Sequence, residues 1–379
     1  MFVNESTKDG ILPSQLIQKL IDNNIIFSNE KISSDLIQPA SLDLRLGFKG
    51  WRVPASFLPG KNSSVEDKLK EFAMHEFSLS DGIVLECGCV YIVKLLEGLK
   101  LPKNISGLAN PKSSTGRLDV FTRLIVDNSQ EFETIPEGYS GPMYIEISPR
   151  TFSIVVRTGT RLNQLRFGLG NFSISDHKMK ELQMKFGLVR NNEQNILSDK
   201  VENGLPLSVD LTGFDGLVGY KAKKHSMLID CDKPKNYKAD FFWEKIKSSD
   251  LITSNSNSTR SLVLSPDAFY ILASKEFVSV PANLAAEMRP YDTRVGEFRA
   301  HYAGFFDPGF GLSELKAGKT KAVLEIRSHD VPFLIEDGQT ICRLVFEPMV
   351  ADPKELYGQT DGKNNYQSQG LKLSKHFIT

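Results

Sequence analysis

The 379-residue sequence predicts a mainly β protein built from two tandem domains. Three observations carry this prediction. Short runs rich in Val, Ile, Phe and Tyr, such as CVYIVKL, AFYILAS, KAVLEIR and TICRLVFE, are broken by Gly, Pro, Asn and Asp, the pattern of an all-β sandwich or barrel. The chain is too long for one ordinary small domain and suits two, each able to bury its own core. It also contains a faint copy of itself.

That copy sets the domain plan. YIVKLLEGLKLP at 91–102 is answered by YILASKEFVSVP at 270–281, where Tyr, Ile, Glu and Pro recur at an offset of 179. PASLDL at 39–44 is answered by PLSVDL at 206–211 at an offset of 167, Arg117 by Arg294 at 177, and the YIEI run around Glu146 by VLEI around Glu325 at 179. Matches in the same order at a nearly constant offset point to a duplicated domain with small loop insertions. We place the first domain at 1–170 and the second at 205–379, with a partly helical linker at 171–204. In the linker the polar run HKMKELQMKF reads as a helix before the turn-like NNEQN. A short amphipathic helix at 13–24, with Ser14 near its start, is the main clear exception to the strand pattern. Strands do not alternate with helices, which argues against a parallel βαβ architecture.

Charge and cysteine content narrow the function classes. Lys plus Arg and Asp plus Glu number 46 each, so nothing global suggests a nucleic acid or an acidic membrane surface as partner, and any anion must be bound locally. The opening MFVNESTKDG lacks a basic region followed by an apolar run, and no stretch approaches the roughly 18 apolar residues of a membrane span. The expectation is a soluble, cytoplasmic protein. Four cysteines, Cys87, Cys89, Cys231 and Cys342, are too few and too scattered for a disulfide scaffold, which agrees with a reducing compartment.

The most informative segment is Lys112-Ser113-Ser114-Thr115-Gly116-Arg117. It sets two cations and three hydroxyls around a glycine, enough donors to hold phosphate oxygens by charge-assisted hydrogen bonds. Taken alone, such a string reads more readily as a polar β-turn. Its surroundings shift the balance. KSSTGRL resembles the RSSxxRLG motif of the dCTP deaminases, and it is followed, as in that family, by a GYSG turn and a strand MYIEIS that contains Glu146. The second half repeats the layout with Arg289-Pro-Tyr-Asp-Thr-Arg294, then HYAGFFDPGFG from His301, then AVLEIRS with Glu325. IQPASLDLRLG at 37–47 is similar to the family's opening strand, and YGQTDGKNNYQSQG from Tyr357 is similar to its Tyr and KYQxQ tail. The likeness spans most of the chain, in the double-length form of the family.

The resemblance implies two dUTPase-like β-barrel or jelly-roll domains, a homo-oligomer with a trimer favoured, and hydrolytic conversion of dCTP to dUTP and ammonia in the supply of dUMP and dTTP. Feedback by dTTP is a family expectation without a residue to carry it. Deamination at C4 of cytosine needs a nucleophilic water, a base for its proton and donors for the charge of the tetrahedral adduct. The zinc deaminases use an H-x-E and P-C-x-x-C ligand set, and neither pattern occurs here. Cys87-Gly-Cys89 offers two thiolates from one face of a strand, yet no histidine lies near in ligand spacing, and a pair of small core residues is the commoner meaning.

Without zinc a carboxylate must act as base, and the resemblance gives that role to the glutamate of the x-x-x-E strand, Glu146 or Glu325. Such a base must be desolvated, which flanking Ile145 and Ile147, or Leu324 and Ile326, would allow. The commoner fate of a strand glutamate is to face outward. By the family pattern Ser113 and Arg117 position the water and stabilise the adduct, while Lys112 and Ser114 contact phosphate. Mg²⁺ travels with the triphosphate, held by its oxygens and waters rather than by protein side chains.

The halves depart from the family in different places. Pro290 stands where the motif's first serine belongs in the second half, although Arg294 remains, and Pro136, preceded by about six extra residues, stands where the first-half hairpin should have Asp. The second half keeps Ala303, Asp307 and the DPGFG turn. The expectation is one composite site per chain, with Lys112, Ser113, Ser114 and Arg117 facing Ala303, Asp307 and Glu325, closed by Tyr357 and Gln369. A trimer of first halves alone would instead pair Ser113 with Glu146. The family's tail lysine is Asn365 here, with Lys363 as substitute. Two rival readings stay open: a dUTP diphosphatase or bifunctional enzyme, kept alive by Asp307 although the tail has no GFGSTG-like motif, and a non-catalytic nucleotide-binding regulator, for which Pro290 is the kind of change expected.

Overall fold

The computed structural model describes residues 8–191, 201–254, 258–290, 298–300, 304–312, 320–328, 331–359, 366 and 370–378. The chain divides into two compact units. One comprises Met1–Ser173 with Met227–Asn236 and Glu347–Glu355, and the other Ile174–Ser226 with Tyr237–Phe346 and Leu356–Thr379. Both are mainly β, as the sequence predicts.

In the first unit one sheet runs Gly10–Ile11, Asn163–Leu169, Ile105–Pro111, Thr134–Ile135, with Leu42–Leu44 also on Asn163–Leu169. A second runs His75–Ser78, Leu46–Val53, Val90–Lys100, Ser140–Pro149, Val120–Val126, with Ile26–Phe27 added to Val90–Lys100. A three-stranded sheet of Ile229–Asp230, Ile154–Val156 and Ile83–Leu85 completes it. The side chains of Val53, Ile92, Ile125 and Tyr144 are fully buried in one cluster, where the helix Val65–Phe72 adds Val65 and Leu69. That helix was not foreseen, although its signal is in the sequence: Ser64 caps it by accepting from the Asp67 N–H, and Glu66 and Asp67 lie in its first turn. The segment 227–236 is held to this unit by Arg157, whose guanidinium donates to both Asp230 oxygens at 2.7 and 2.9 Å.

The second unit has the same plan. One sheet runs Leu205–Ser208, Thr340–Pro348, Leu284–Pro290, Phe305–Phe306, and another runs Trp243–Lys247, Leu217–Ala222, Phe269–Val278, Lys321–Ser328, Phe298–Ala300. A third holds Ile252–Thr253, Arg260–Leu264 and Phe333–Glu336. The helix foreseen within 171–204 spans Asp176–Phe186, capped by Ser175 at its start and by Gly187 in the left-handed conformation (φ 59°) at its end. It contributes Met179 to the second unit's core, beside Leu188 and Val189.

Strand register shows the duplication residue by residue. Tyr91 opposes Ile147 and Ile92 opposes Glu146; Tyr270 opposes Ile326 and Ile271 opposes Glu325. Even a side-chain brace recurs. The Tyr91 hydroxyl accepts from the Glu86 N–H at 3.1 Å, and the Tyr270 hydroxyl accepts from the Ser265 N–H at 2.8 Å, each closing the turn before its strand. The N-terminal helix spans Ser14–Asp22 and buries Ile17 and Leu20. No helix among the described residues is long and apolar enough to cross a membrane.

Candidate functional site

The strand Ile105–Pro111 delivers the KSSTGR run into a single helical turn, Ser113–Gly116, before the chain reverses into Val120–Val126. The N–H groups of Thr115 and Gly116 donate to the Lys112 carbonyl at 2.8 and 3.0 Å, and that of Arg117 donates to the Ser113 carbonyl at 3.2 Å. This winding buries Ser114 and Arg117, the latter with 3% of its surface exposed. A guanidinium so desolvated is a strong, preorganised donor. The Lys112 ammonium is paired with the buried carboxylate of Asp43.

Asp43 is one of several residues behind the motif that sequence reading missed. It opposes Gln164 in the sheet, and Gln164 in turn opposes Asn110. Gln164 accepts from the Ser41 hydroxyl at 3.4 Å and donates to the Pro111 carbonyl at 3.3 Å. The available signal was polarity inside otherwise apolar strands. In the second half Asp210 takes its lysine from the carboxylate strand instead, with Lys321 at 2.5 Å. Burial works against its ionisation, but the Lys321 ammonium and the Thr212 hydroxyl prevail and hold the Asp210 carboxyl below the usual carboxylate range.

The two candidate bases occupy the same place in their units, and neither faces outward. Glu146 is 1% exposed and Glu325 5%, on strands whose neighbouring Ile145, Ile147, Leu324 and Ile326 are fully buried. Arg123, directly across the ladder on Val120–Val126, places Nε at 3.1 Å and Nη2 at 2.6 Å from Glu146 Oε1. The same Nη2 donates to Ser56 Oγ at 2.5 Å, and the guanidinium carbon lies 3.6 Å from the centre of the Phe132 ring.

The hairpins diverge at one position. Thr134–Ile135 pairs with Leu108 and Gly107, and Phe305–Phe306 pairs with Glu287 and Ala286, so Pro136 and Asp307 follow equivalent strands. Asp307 is 9% exposed and opens the turn that the second half keeps. Gly309 there has φ +99°, and a Cβ would stand 2.7 Å from Leu356 Cβ and from the Tyr357 N, so only glycine lets the tail close on the turn. Tyr357 is drawn to the hairpin by its N–H on the Pro308 carbonyl at 2.8 Å and by its ring against Phe310. Arg294, Ala303, Lys363 and Gln369 lie outside the described residues.

The expectation for the cysteine pair needs correction. Cys87 and Cys89 occupy the turn before Val90–Lys100, not a strand, and Cys87 is exposed rather than part of a core. Gly88, at φ +79°, permits the tight reversal that a strand would not make. No group of three His, Cys, Asp or Glu is arranged to hold a metal among the described residues.

Comparison with known proteins gives a consistent outcome. Residues 8–171 match the 2′-deoxycytidine 5′-triphosphate deaminase N-terminal domain and residues 175–377 the C-terminal domain of the same family. The crystal structure of 2′-deoxycytidine 5′-triphosphate deaminase from Agrobacterium tumefaciens is 50% identical and superposes with a TM-score of 0.83, covering 91% of this chain and 97% of that one. A dCTP deaminase of Haemophilus influenzae (strain PittEE) is 28% identical over 144 residues, 35% of this chain and 74% of the relative. A dUMP-forming dCTP deaminase of Methanobrevibacter smithii is 30% identical over 112 residues, 29% of this chain and 54% of the relative.

Proposed function

The chain belongs to the 2′-deoxycytidine 5′-triphosphate deaminase family, and from that premise we propose how its residues divide the work. The reaction is hydrolytic deamination of dCTP to dUTP and ammonia, at the C–N bond of a cyclic amidine. Glu325 is the general base. It takes a proton from water as the oxygen adds to C4, and the proton passes to the departing amino group. Ser113 and the buried guanidinium of Arg117 supply the hydrogen bonds that strengthen as the adduct gains charge. Lys112, Ser114 and Arg294 belong to the substrate-binding set, as do Ala303, Asp307, Tyr357, Lys363 and Gln369.

The observation that carries this assignment is Arg123. Glu146 shares the register of Glu325 but has one oxygen already taken by two guanidinium donors, so it is poorly placed to accept a proton from water. Mg²⁺ enters with the triphosphate. The one carboxylate paired with the motif lysine, Asp43, is thereby engaged, so phosphate oxygens and water are the ion's fitting donors. A cytoplasmic homotrimer under dTTP feedback completes the proposal.

Incubation with dCTP and Mg²⁺, following ammonia and pyrophosphate together in the presence of a zinc-selective chelator, tests the reading. One ammonia per nucleotide without pyrophosphate is expected. Pyrophosphate release would replace it with the bifunctional reading, tight binding without turnover with the regulatory one, and activity restored only by zinc would overturn the carboxylate chemistry.

A further inference from the structure

We infer that the carboxylate pocket of the first half is filled by its own chain, with the guanidinium of Arg123 standing where an aminopyrimidine would lie against Glu325. This deepens the reading above and rests on Glu325 being the working base. The chemical likeness is close. The reactive edge of cytosine is a planar amidine that presents N–H donors and stacks on aromatic rings. Arg123 offers a planar group of the same kind, with Nε and Nη2 both directed at Glu146 Oε1, at 3.1 and 2.6 Å. Phe132 covers one face with its ring centre 3.6 Å from the guanidinium carbon, and Phe121 lies at 4.8 Å. Ser56 accepts the remaining Nη2 bond at 2.5 Å.

Two further observations point the same way. Glu146 Oε2 is buried and makes no hydrogen bond among the described residues, so the floor of the pocket retains acceptor capacity that one guanidinium does not use up. Phe132 comes from the stretch before Pro136 in which the first half carries its extra residues. In the second half Ala300 opposes Ile326 as Thr122 opposes Ile147 in the first, so the residue one step on in sequence, the counterpart of Arg123, is His301 rather than an arginine. The arginine and the phenylalanine that covers it thus both belong to the half whose hairpin lost its aspartate.

Arg123→Ala in the full-length chain tests the inference by chemical rescue. Removing the cation leaves a buried carboxylate uncompensated, and the variant should melt roughly 5–10 °C below the wild type. Guanidinium or methylguanidinium chloride at low millimolar concentration should recover at least half of that shift. It should recover none in Arg123→Ala/Glu146→Gln, where the anionic floor is gone, and sodium chloride at equal ionic strength should not substitute. Phe132→Ala, which keeps the ion pair and removes only the stacking, should melt a few degrees low, and if Arg123→Ala does not fold, unchanged melting of Phe132→Ala would overturn the inference. Equal melting of Arg123→Ala and wild type, or equal rescue of single and double variants, would overturn the inference. Because the readout is melting, failure of dCTP turnover in the wild type would count against the proposed function and leave this result standing.

Discussion

The two halves of this chain share strand order, register and even the tyrosine brace of a turn, yet they have diverged at the positions where chemistry would occur. Glu146 and Glu325 oppose corresponding isoleucines, Ile92 and Ile271. One is fastened to an arginine across the ladder, and the other belongs to the half that keeps Asp307 and its glycine turn. Conversely, the Ser113–Arg117 turn is complete in the first half, and Pro290 replaces its first hydroxyl in the second. Duplication therefore let packing and chemistry separate. The apolar ladder constrains both copies, whereas each copy could lose the functional group that the other retained.

The comparison can be sharpened by substitution. On the proposed assignment Ser113→Ala removes a donor whose partner develops charge only during reaction, so kcat for dCTP should fall about 10²-fold with little change in melting. A loss confined to KM would make Ser113 a ground-state binding group instead. The two hairpin glycines provide a steric contrast. Gly309→Ala meets Leu356 and the Tyr357 backbone at 2.7 Å and should cost about 1–3 kcal/mol in chemical denaturation. Gly138→Ala, also at positive φ but with its nearest neighbour at 3.5 Å, should cost about 1 kcal/mol. Equal costs would mean that the tail is not closed on the second hairpin as described.

The smallest effect concerns the segment 227–236. Its Asp230 carboxyl is held below the ordinary carboxylate range chiefly by hydrogen bonds from Arg157. A depressed folded-state value contributes stability above the unfolded value of about 3.9, and that contribution is lost as pH falls through the folded one. Asp230→Asn should therefore lower melting by a few degrees at pH 7, with the gap to wild type closing in acid. A gap independent of pH would assign the effect to packing.

Much of this was legible in the sequence because the signals were local and repeated. The Tyr, Ile, Glu and Pro matches at an offset of 179 foretold the register now seen, and Ser175 and Gly187 bracket the helix whose polar run was visible. Pro136 in the aspartate's place was readable from motif order, and the equivalent strand pairings bear out the alignment. What escaped was set by cross-strand geometry. Nothing in VFTRLIV says that Arg123 will oppose Glu146, because the pairing depends on how two distant strands align. The pairing of Lys112 with Asp43, far away in sequence, likewise depends on the fold. The Cys87-Gly-Cys89 run was mistaken for strand because its neighbours are apolar, and the glycine that turns the chain was given too little weight.

Paired steady-state kinetics on Glu325→Gln and Glu146→Gln, each checked to be folded at the assay temperature, test the division of labour most directly. Loss of general-base catalysis should reduce kcat about 10²–10⁴-fold in Glu325→Gln, while Glu146→Gln keeps turnover within a few fold of wild type at the assay temperature. A folded Glu146→Gln enzyme that no longer releases ammonia, beside an active Glu325→Gln, would place the chemistry in the other half and contradict the account.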